Sequence, residues 1–470
     1  MEINRAVLIE PESPGFNFFS SVQMPLLGLP LLGAIMEKMG IEVRIFCENF
    51  SDLDWDQIRE ADIVGLSVLT VLAPRAYELA GKIKNINPSA PVIMGGVHVS
   101  MLPEEALENG ADIVVRGEGE NTIKKLIDGL RQEKSLEKIP GISYRREGNI
   151  IHNSPGGMTE LDRLPAPDFS LIENYRDIPY IPYQTSRGCP HDCEFCSVVE
   201  MFGRKVRYRD SGQVISDLTE ITSDPAQSEK NVFIVDDNFS ARKGRAKTLL
   251  EDLKSSTLQL EWSTQEEVLV HKKEDILDLM AETGCKRLQL GIESLNPAAL
   301  DEYDKPQRKS DIYKAVEKIK ARGIAVHGMF VLGADSDTMK TIKETIQAAL
   351  ELDLETAQFF VLVPPPGTDF FQRIKENGRL LAEKISDWSF FDGQHVVFEP
   401  KNFSPAALQK AQIKAFKKFY SLKRSLKWLS RGRFREAGVS IYGFWAIRRW
   451  IRENREFIEN LSEENKEVNC

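Results

Sequence analysis

The stretch SRGCPHDCEFCSV (186–198) sets Cys189, Cys193 and Cys196 within eight residues as a C-x3-C-x2-C loop, while Cys47, Cys285 and Cys470 stand alone. A disulfide framework spreads its cysteines along the chain, so this cluster reads as a metal site. Soft thiolates suit zinc or an iron-sulfur cluster. A structural zinc wants four closed ligands, and only three thiols are offered; His191 could become a fourth only through an awkward turn between two of them. A 4Fe-4S cluster on three thiols leaves one iron open to bind a small molecule.

Working outward, the loop follows a strand-like run, YQTS (183–186), and the alternation continues through NVFIVDD (231–237), EWST (261–264), RLQLGIE (287–293), AVHGMFVLG (325–333) and TAQFFVLV (356–363). Helical patterns such as SGQVISDLTEIT and KEDILDLMAETG separate these runs. Six βα units predict a partial (β/α)6 barrel over 181–400. Upstream, AVLIE (6–10), VRIF (43–46), DIVGLSV (62–68), PVIMGG (91–96) and DIVVRG (112–117) alternate with helical runs. This predicts a doubly wound, Rossmann-like α/β domain over 1–135, whose ligand sits outside the carboxyl ends of the strands. Residues 136–180 are polar and Pro-containing, with a hairpin signal at ISYRREGNIIH (142–152), and read as a connector.

The chain has 470 residues, 42% hydrophobic and 28% charged, which fits several packed domains and excludes a disordered or fibrous protein. Its 61 Lys and Arg against 71 Asp and Glu give a net charge of −10, which argues against nucleic-acid binding. The start, MEINRAVLIE, lacks a basic region followed by an apolar one, and no apolar run reaches the ~18 residues of a spanning helix, which predicts a cytoplasmic protein. The region 401–470 differs in character and is predicted to be helical. Between Lys410 and Arg452 there are 13 Lys or Arg and one acid, a net +12 in a chain of −10, so the rest carries −22. Phe416, Phe419, Leu422, Leu426 and Leu429 recur at helical steps, with Lys414, Lys417, Arg424, Lys427 and Arg431 on the remaining surface. Two readings stand: a helix packed on the acidic remainder, or an interfacial helix on the inner face of a membrane.

The C-x3-C-x2-C loop, with Phe195 before its last cysteine and a βα barrel behind it, resembles the signature of the radical S-adenosylmethionine (SAM) superfamily. The resemblance implies that Cys189, Cys193 and Cys196 hold a 4Fe-4S cluster whose open iron chelates SAM. Reductive cleavage of SAM to a 5'-deoxyadenosyl radical, fed by an external donor of flavodoxin or ferredoxin type, is implied with it. Asp236 and Asp237 fall where the family places an acidic group near the SAM amino end. Glu293 and Ser294 resemble its ribose-contacting segment, and Gly328 and Gly333 the strand that lets backbone approach adenine. One departure is WSTQEEV (262–268), where Gln265 and Glu266 stand in place of an Arg near the SAM carboxylate.

The first domain resembles the cobalamin-binding domain of cobalamin-dependent radical SAM enzymes. The matching pieces are Ser67, Leu69 and Thr70 after the third strand, Gly95, Gly96 and Val97 after the fourth, and Gly117 and Glu118 after the fifth. Glycines let backbone come close, and hydroxyls can bond a nucleotide tail. Any doubly wound domain carries such glycines, so a domain that serves only as a substrate lid stays open. The first loop, PESPGFNF (11–18), holds no histidine, which implies base-off cobalamin without a His ligand, and His98 reads as a loop residue. The whole implies a class B-like methyltransferase for an unactivated carbon of a small-molecule or lipid substrate, such as a terpenoid. The alternatives are oxidative cyclisation or rearrangement, and a non-catalytic metal-stabilised cobalamin scaffold. No general acid or base is identified.

Overall fold

The computed structural model describes residues 2–18, 23–381 and 384–467; Cys470 lies outside them. It divides into two compact units, Met1–Pro14 with Val22–Pro190 and Ser197–Val235, and Gly15–Ser21 with His191–Cys196 and Asp236–Cys470.

In the first unit, β1 (Arg5–Glu10), β2 (Glu42–Cys47), β3 (Ile63–Ser67), β4 (Val92–Gly95) and β5 (Ile113–Val115) run parallel in the order β2-β1-β3-β4-β5. Their β-branched interiors are buried almost throughout, as expected of strands with both faces covered. The strand order reverses between β1 and β3, which creates a switch point at the carboxyl edge. The hairpin foreseen at 142–152 is present as β6 (Ile142–Arg146) and β7 (Asn149–His152). It does not lie in a free connector. β6 pairs antiparallel with β5 and extends the sheet to seven strands, because its Ile142, Ser143 and Tyr144 are buried. Glu147 and Gly148, both at positive φ, make the tight turn that lets β7 return.

The same unit holds two short strand pairs. The run expected as one strand at 183–186 is divided into β8 (Tyr180–Tyr183) and β9 (Ser186–Arg187). β9 pairs antiparallel with β10 (Arg207–Tyr208), and β8 pairs parallel with β11 (Asn231–Ile234). The buried Tyr183 hydroxyl, bonded to Asp217 at 2.7 Å, pins the end of β8.

In the second unit, β12 (Trp262–Glu267), β13 (Cys285–Glu293), β14 (Ala325–Leu332) and β15 (Thr356–Val361) are parallel neighbours in chain order. Buried and half-buried residues alternate strictly along β14 and β15, so one face is packed core and the other is partly open. Amphipathic helices such as Glu274–Glu282, Lys309–Ala321 and Met339–Glu351 intervene between strands.

The C-terminal segment is helical, at Pro405–Phe419, Leu422–Leu429, Phe434–Glu453 and Arg455–Glu467. The single apolar face expected from Phe416 to Leu429 is divided. Tyr420 leaves the helix, and its hydroxyl accepts from the Ala357 N–H at 3.0 Å and donates to the Ala357 carbonyl at 2.8 Å. Ser421 then caps the next helix. Phe416 and Phe419 are buried, whereas Leu422, Leu426 and Leu429 are exposed. Lys427, Arg431 and Arg433 lie within 4 Å of Asp353, which supports packing on acidic surface for part of the basic set. Among the described residues no helix is long and apolar enough to cross a membrane.

Candidate functional site

A cavity of about 260 Å³ opens at the carboxyl edge of the first sheet, walled by Leu8 of β1, Leu66 of β3, Ile93 of β4 and Val115 of β5. Ser67, Gly95, Gly96, Gly117 and Glu118, singled out from the sequence, line it. Leu69, Thr70 and Val97 do not. Leu69 precedes a short 3-10 turn that begins at Thr70, and Val97 starts the helix Val97–Met101. Gly96 has φ +113, and a Cβ there would meet the Val68 carbonyl oxygen at 2.7 Å, so the backbone admits no side chain. His98 is buried with its ring nitrogen 3.0 Å from Glu105.

Around Glu118 the rim carries further charges that the sequence reading missed. Arg207 forks onto the Glu118 carboxylate, and the Thr159 N–H donates to it at 2.6 Å. Arg187 reaches Glu118 at 3.6 Å and Glu120 at 2.6 Å. Burial raises the Glu118 pKa, but Arg207 and Arg187 outweigh it and hold the carboxyl below its ordinary value. Both acids and Arg187 line the cavity, with Gln184 accepting from Arg187 Nε at 2.7 Å. Sequence spacing gives no sign of these contacts, which join residues 67 and 89 positions apart.

The residues between the cysteines tie the loop to side chains far along the sequence. Cys189 falls in the first unit and Cys193 and Cys196 in the second, and all three are half-buried. The Cys196 N–H donates to the Cys193 carbonyl at 2.9 Å, which closes a turn. Phe195 packs edge-on against Tyr303, with ring centroids 5.1 Å apart, beside a core that includes Phe370 and Phe398. Glu194 accepts two hydrogen bonds from Arg373, and its carbonyl accepts from the Phe370 N–H at 3.1 Å. His191, weighed above as a zinc ligand, instead meets Glu267 at 3.2 Å. Burial opposes ionisation of Glu267, yet the His191 bond and Lys273 hold its pKa down to about 2. Among the described residues no group of three or more His, Cys, Asp or Glu side chains is gathered as a metal site.

The second unit brings further candidates to its strand ends. Asp236 is fully buried and Asp237 half-buried; Asn238 beside them keeps Oδ1 buried without a hydrogen bond. Glu293 ends β13 in the left-handed region, φ +57, where the register with β14 shifts, and its carboxylate meets Lys305 at 3.0 Å. Ser294 is buried, with its hydroxyl accepting from the Asn296 N–H at 3.0 Å. Gly328 and Gly333 are closely packed. A Cβ at Gly328 would strike Leu354 at 2.5 Å, and one at Gly333 would strike Leu408 at 2.8 Å. Gly328 lies on the packed face of β14, whereas His327 and Met329 take the half-buried face.

One row across that half-buried face is polar. Gln265, Gln289, His327 and Thr356 stand in register across β12, β13, β14 and β15. Gln289 Oε1 is buried without a hydrogen-bond partner. His327 contacts Thr356 at 2.8 Å and Gln358 at 3.2 Å, and enclosure pushes its imidazole down to about 4, so it is neutral at pH 7. Glu266 takes the opposite face of β12, where burial pushes its carboxyl up to about 7 while it accepts from the Ser240 N–H at 2.7 Å. The period-2 signal for Gln289, His327 and Gln358 was present in the sequence; of this row only Gln265 was noted there, as a departure near the SAM carboxylate.

Comparison with known proteins gives two domain matches. The B12 binding domain model matches residues 20–127 and the Radical SAM superfamily model residues 183–388. An uncharacterized methyltransferase of Pyrococcus horikoshii is 31% identical over 412 residues, 84% of this chain and 88% of that protein. The bacteriochlorophyllide d C-12(1)-methyltransferase of Chlorobaculum tepidum is 27% identical over 88% of this chain and 87% of its own. Among solved structures, the radical S-adenosylmethionine methyltransferase TsrM of Kitasatospora setae superposes with a TM-score of 0.68 at 19% identity, covering 80% of this chain and 76% of that one.

Proposed function

Because this chain belongs to the cobalamin-dependent radical SAM methyltransferase family, we propose that it methylates an unactivated carbon of a lipid or terpenoid substrate. The family is enzymatic, which removes the reading of a metal-stabilised scaffold. When bound, a 4Fe-4S cluster with SAM supplies hydrogen-atom abstraction, and cobalamin supplies a methyl group.

The residues present fit these groups. Cys189, Cys193 and Cys196 would hold the cluster, since three thiolates on a short loop are the donor set that iron-sulfur chemistry requires. Glu194 and Phe195 fix that loop through Arg373 and Tyr303. Glu293 and Ser294 would bond the ribose of SAM, with Asp236 and Asp237 toward its amino end. The unpartnered oxygens of Asn238 and Gln289 are acceptors in want of donors, which fits a polar ligand in the same unit. The apolar cavity of the first sheet would take the displaced base of cobalamin. Ser67, Gly96 and Gly117 would border the nucleotide tail, and Glu118 and Arg187 would meet its polar groups.

The observation that carries the reading is this cavity at the switch point of a B12-binding sheet, in a chain that also bears the three-thiol loop. The methyltransferase names of the Pyrococcus and Chlorobaculum relatives support methyl transfer, while relatives named as anaerobic magnesium-protoporphyrin IX monomethyl ester cyclases keep cyclisation as the second reading. The substrate class rests on the exposed apolar side chains of the C-terminal helices, and the electron source would be a flavodoxin or ferredoxin.

The test is the iron and corrinoid content of anaerobically purified protein, beside a variant with all three loop cysteines changed to Ala. Near four irons and one corrinoid are expected in the parent, with only iron lost in the variant. Iron without corrinoid removes methylcobalamin from the mechanism. With substrate, S-adenosylhomocysteine alongside 5'-deoxyadenosine supports methyl transfer; 5'-deoxyadenosine alone means cyclisation or rearrangement.

A further inference from the structure

Seven of the eight large hydrophobic side chains exposed among the described residues lie between 422 and 445. They do not scatter. Leu422, Leu426 and Leu429 follow four- and three-residue steps along the helix Leu422–Leu429, and so share one stripe. Phe434, Ile441 and Trp445 follow seven- and four-residue steps along Phe434–Glu453 and share another. Phe434 is 73% exposed, Leu426 66% and Trp445 64%.

These helices already have a buried side. Trp428 and Ser425 are buried from the first, and Ala437, Ser440, Gly443, Ile447 and Trp450 from the second. The exposed stripes are therefore additional apolar faces, presented on helices that Trp428 and Trp450 anchor in the core. A helix that needed only to pack on its own unit would carry polar residues there.

Charge selects the occupant. Lys423, Lys427, Arg431, Arg435, Arg448 and Arg452 are exposed on the same two helices and the turn between them, in a chain otherwise strongly acidic. Asp353 and Glu355 neutralise part of this set from its inner side, reaching Lys427, Arg431 and Arg435 at 3.8 to 3.9 Å. The only acid between 422 and 445, Glu436, is turned onto Arg433 at 2.6 Å. Apolar stripes with no free acid among them, flanked by long cationic side chains, match the interface of an anionic bilayer. There aromatic and leucine side chains enter the headgroup boundary while Lys and Arg reach the phosphates.

We propose that the helices Leu422–Leu429 and Phe434–Glu453 dock this enzyme peripherally on anionic phospholipid membranes. This deepens the proposed function by naming the surface at which a lipophilic substrate is met, and it rests on that reading only for its purpose.

The test is co-sedimentation of the full chain, loaded with its cofactors, with vesicles of phosphatidylcholine alone or mixed with phosphatidylglycerol, at low and high salt. Binding to the mixed vesicles is expected, weakened by salt and at least about tenfold weaker to phosphatidylcholine. The triple variant Leu426→Ser, Phe434→Ser, Trp445→Ser should lose about tenfold or more in vesicle affinity while keeping the parent's melting temperature, iron and corrinoid, since all three side chains are exposed. A parent that ignores anionic vesicles overturns the proposal. So does a variant that binds them as the parent does, or sedimentation showing that the parent self-associates through these residues and the variant does not. Cofactor content reports separately on the enzyme reading: a parent without iron or corrinoid defeats that reading whatever the vesicles show.

Discussion

Arg373 grips Glu194 with two of its nitrogens, at 2.6 and 2.9 Å, across 179 residues of chain. Glu194 stands between Cys193 and Cys196, so a guanidinium on a distant helix sets the path of the backbone that carries two of the loop's three thiols. The same Arg373 and Arg379 converge on Asp335, against burial holding its carboxyl down to about 2. Glu194→Ala should cost about 1 kcal/mol of stability, since the pair is partly exposed. Its larger effect should fall on iron retention: desalted, reconstituted variant is expected to hold less iron per chain than the parent, while corrinoid content is unchanged.

The Arg187 network is a harsher case, because both sides of it are buried. Arg187→Met leaves Glu118 and Glu120 short of a partner and should destabilise the protein by roughly 3 kcal/mol. Urea titration of the apoprotein checks this, and Arg187→Met combined with Glu120→Met should recover part of the loss. Corrinoid binding should weaken in both variants.

Glu293 offers a test of the SAM assignment. Glu293→Gln keeps the size of the side chain but removes the charge that can accept from both ribose hydroxyls. SAM affinity of the reconstituted protein, measured by calorimetry, should fall about tenfold. Iron and corrinoid should stay at parent levels; unchanged SAM affinity would move the ribose contact elsewhere.

His327 gives a pH signature. Its pKa is pushed down from 6.5 to about 4 in the folded protein, so the unfolded chain binds more protons between these values. The stability due to neutral His327 is complete above pH 6.5 and is lost as pH falls toward 4, by an amount on the order of 2 kcal/mol. His327→Gln should show a smaller fall in urea midpoint than the parent over that window. Equal slopes in the two proteins would mean that the imidazole protonates freely in the folded state.

Much of this was legible from local pattern. The βα alternation is written in short continuous apolar runs separated by helical repeats, and it located β1 to β5 within a residue or two. Gly96 and Gly117 announced themselves because a left-handed backbone leaves few choices of residue. What escaped depends on partners far along the chain. Nothing near Glu194 points to Arg373, and nothing near Arg187 points to Glu120. The hairpin at 142–152 was visible as a turn, but its attachment to β5 is a tertiary choice made by burying Tyr144. The break at Tyr420 had a local cue in Ser421, an N-cap residue, that helical periodicity masked.

The walls of the first cavity are also the interior of the sheet that surrounds it: Leu8, Leu66, Ile93 and Val115 would be core residues in any other doubly wound domain. A corrinoid held there would act as part of that core, and a ligand that binds only the folded domain draws the population toward it by mass action. Chain made while the vitamin is scarce would spend more time open to proteases than chain made in plenty. The amount of this enzyme in a cell would then follow vitamin supply through protein turnover, with no change in the rate at which its gene is read.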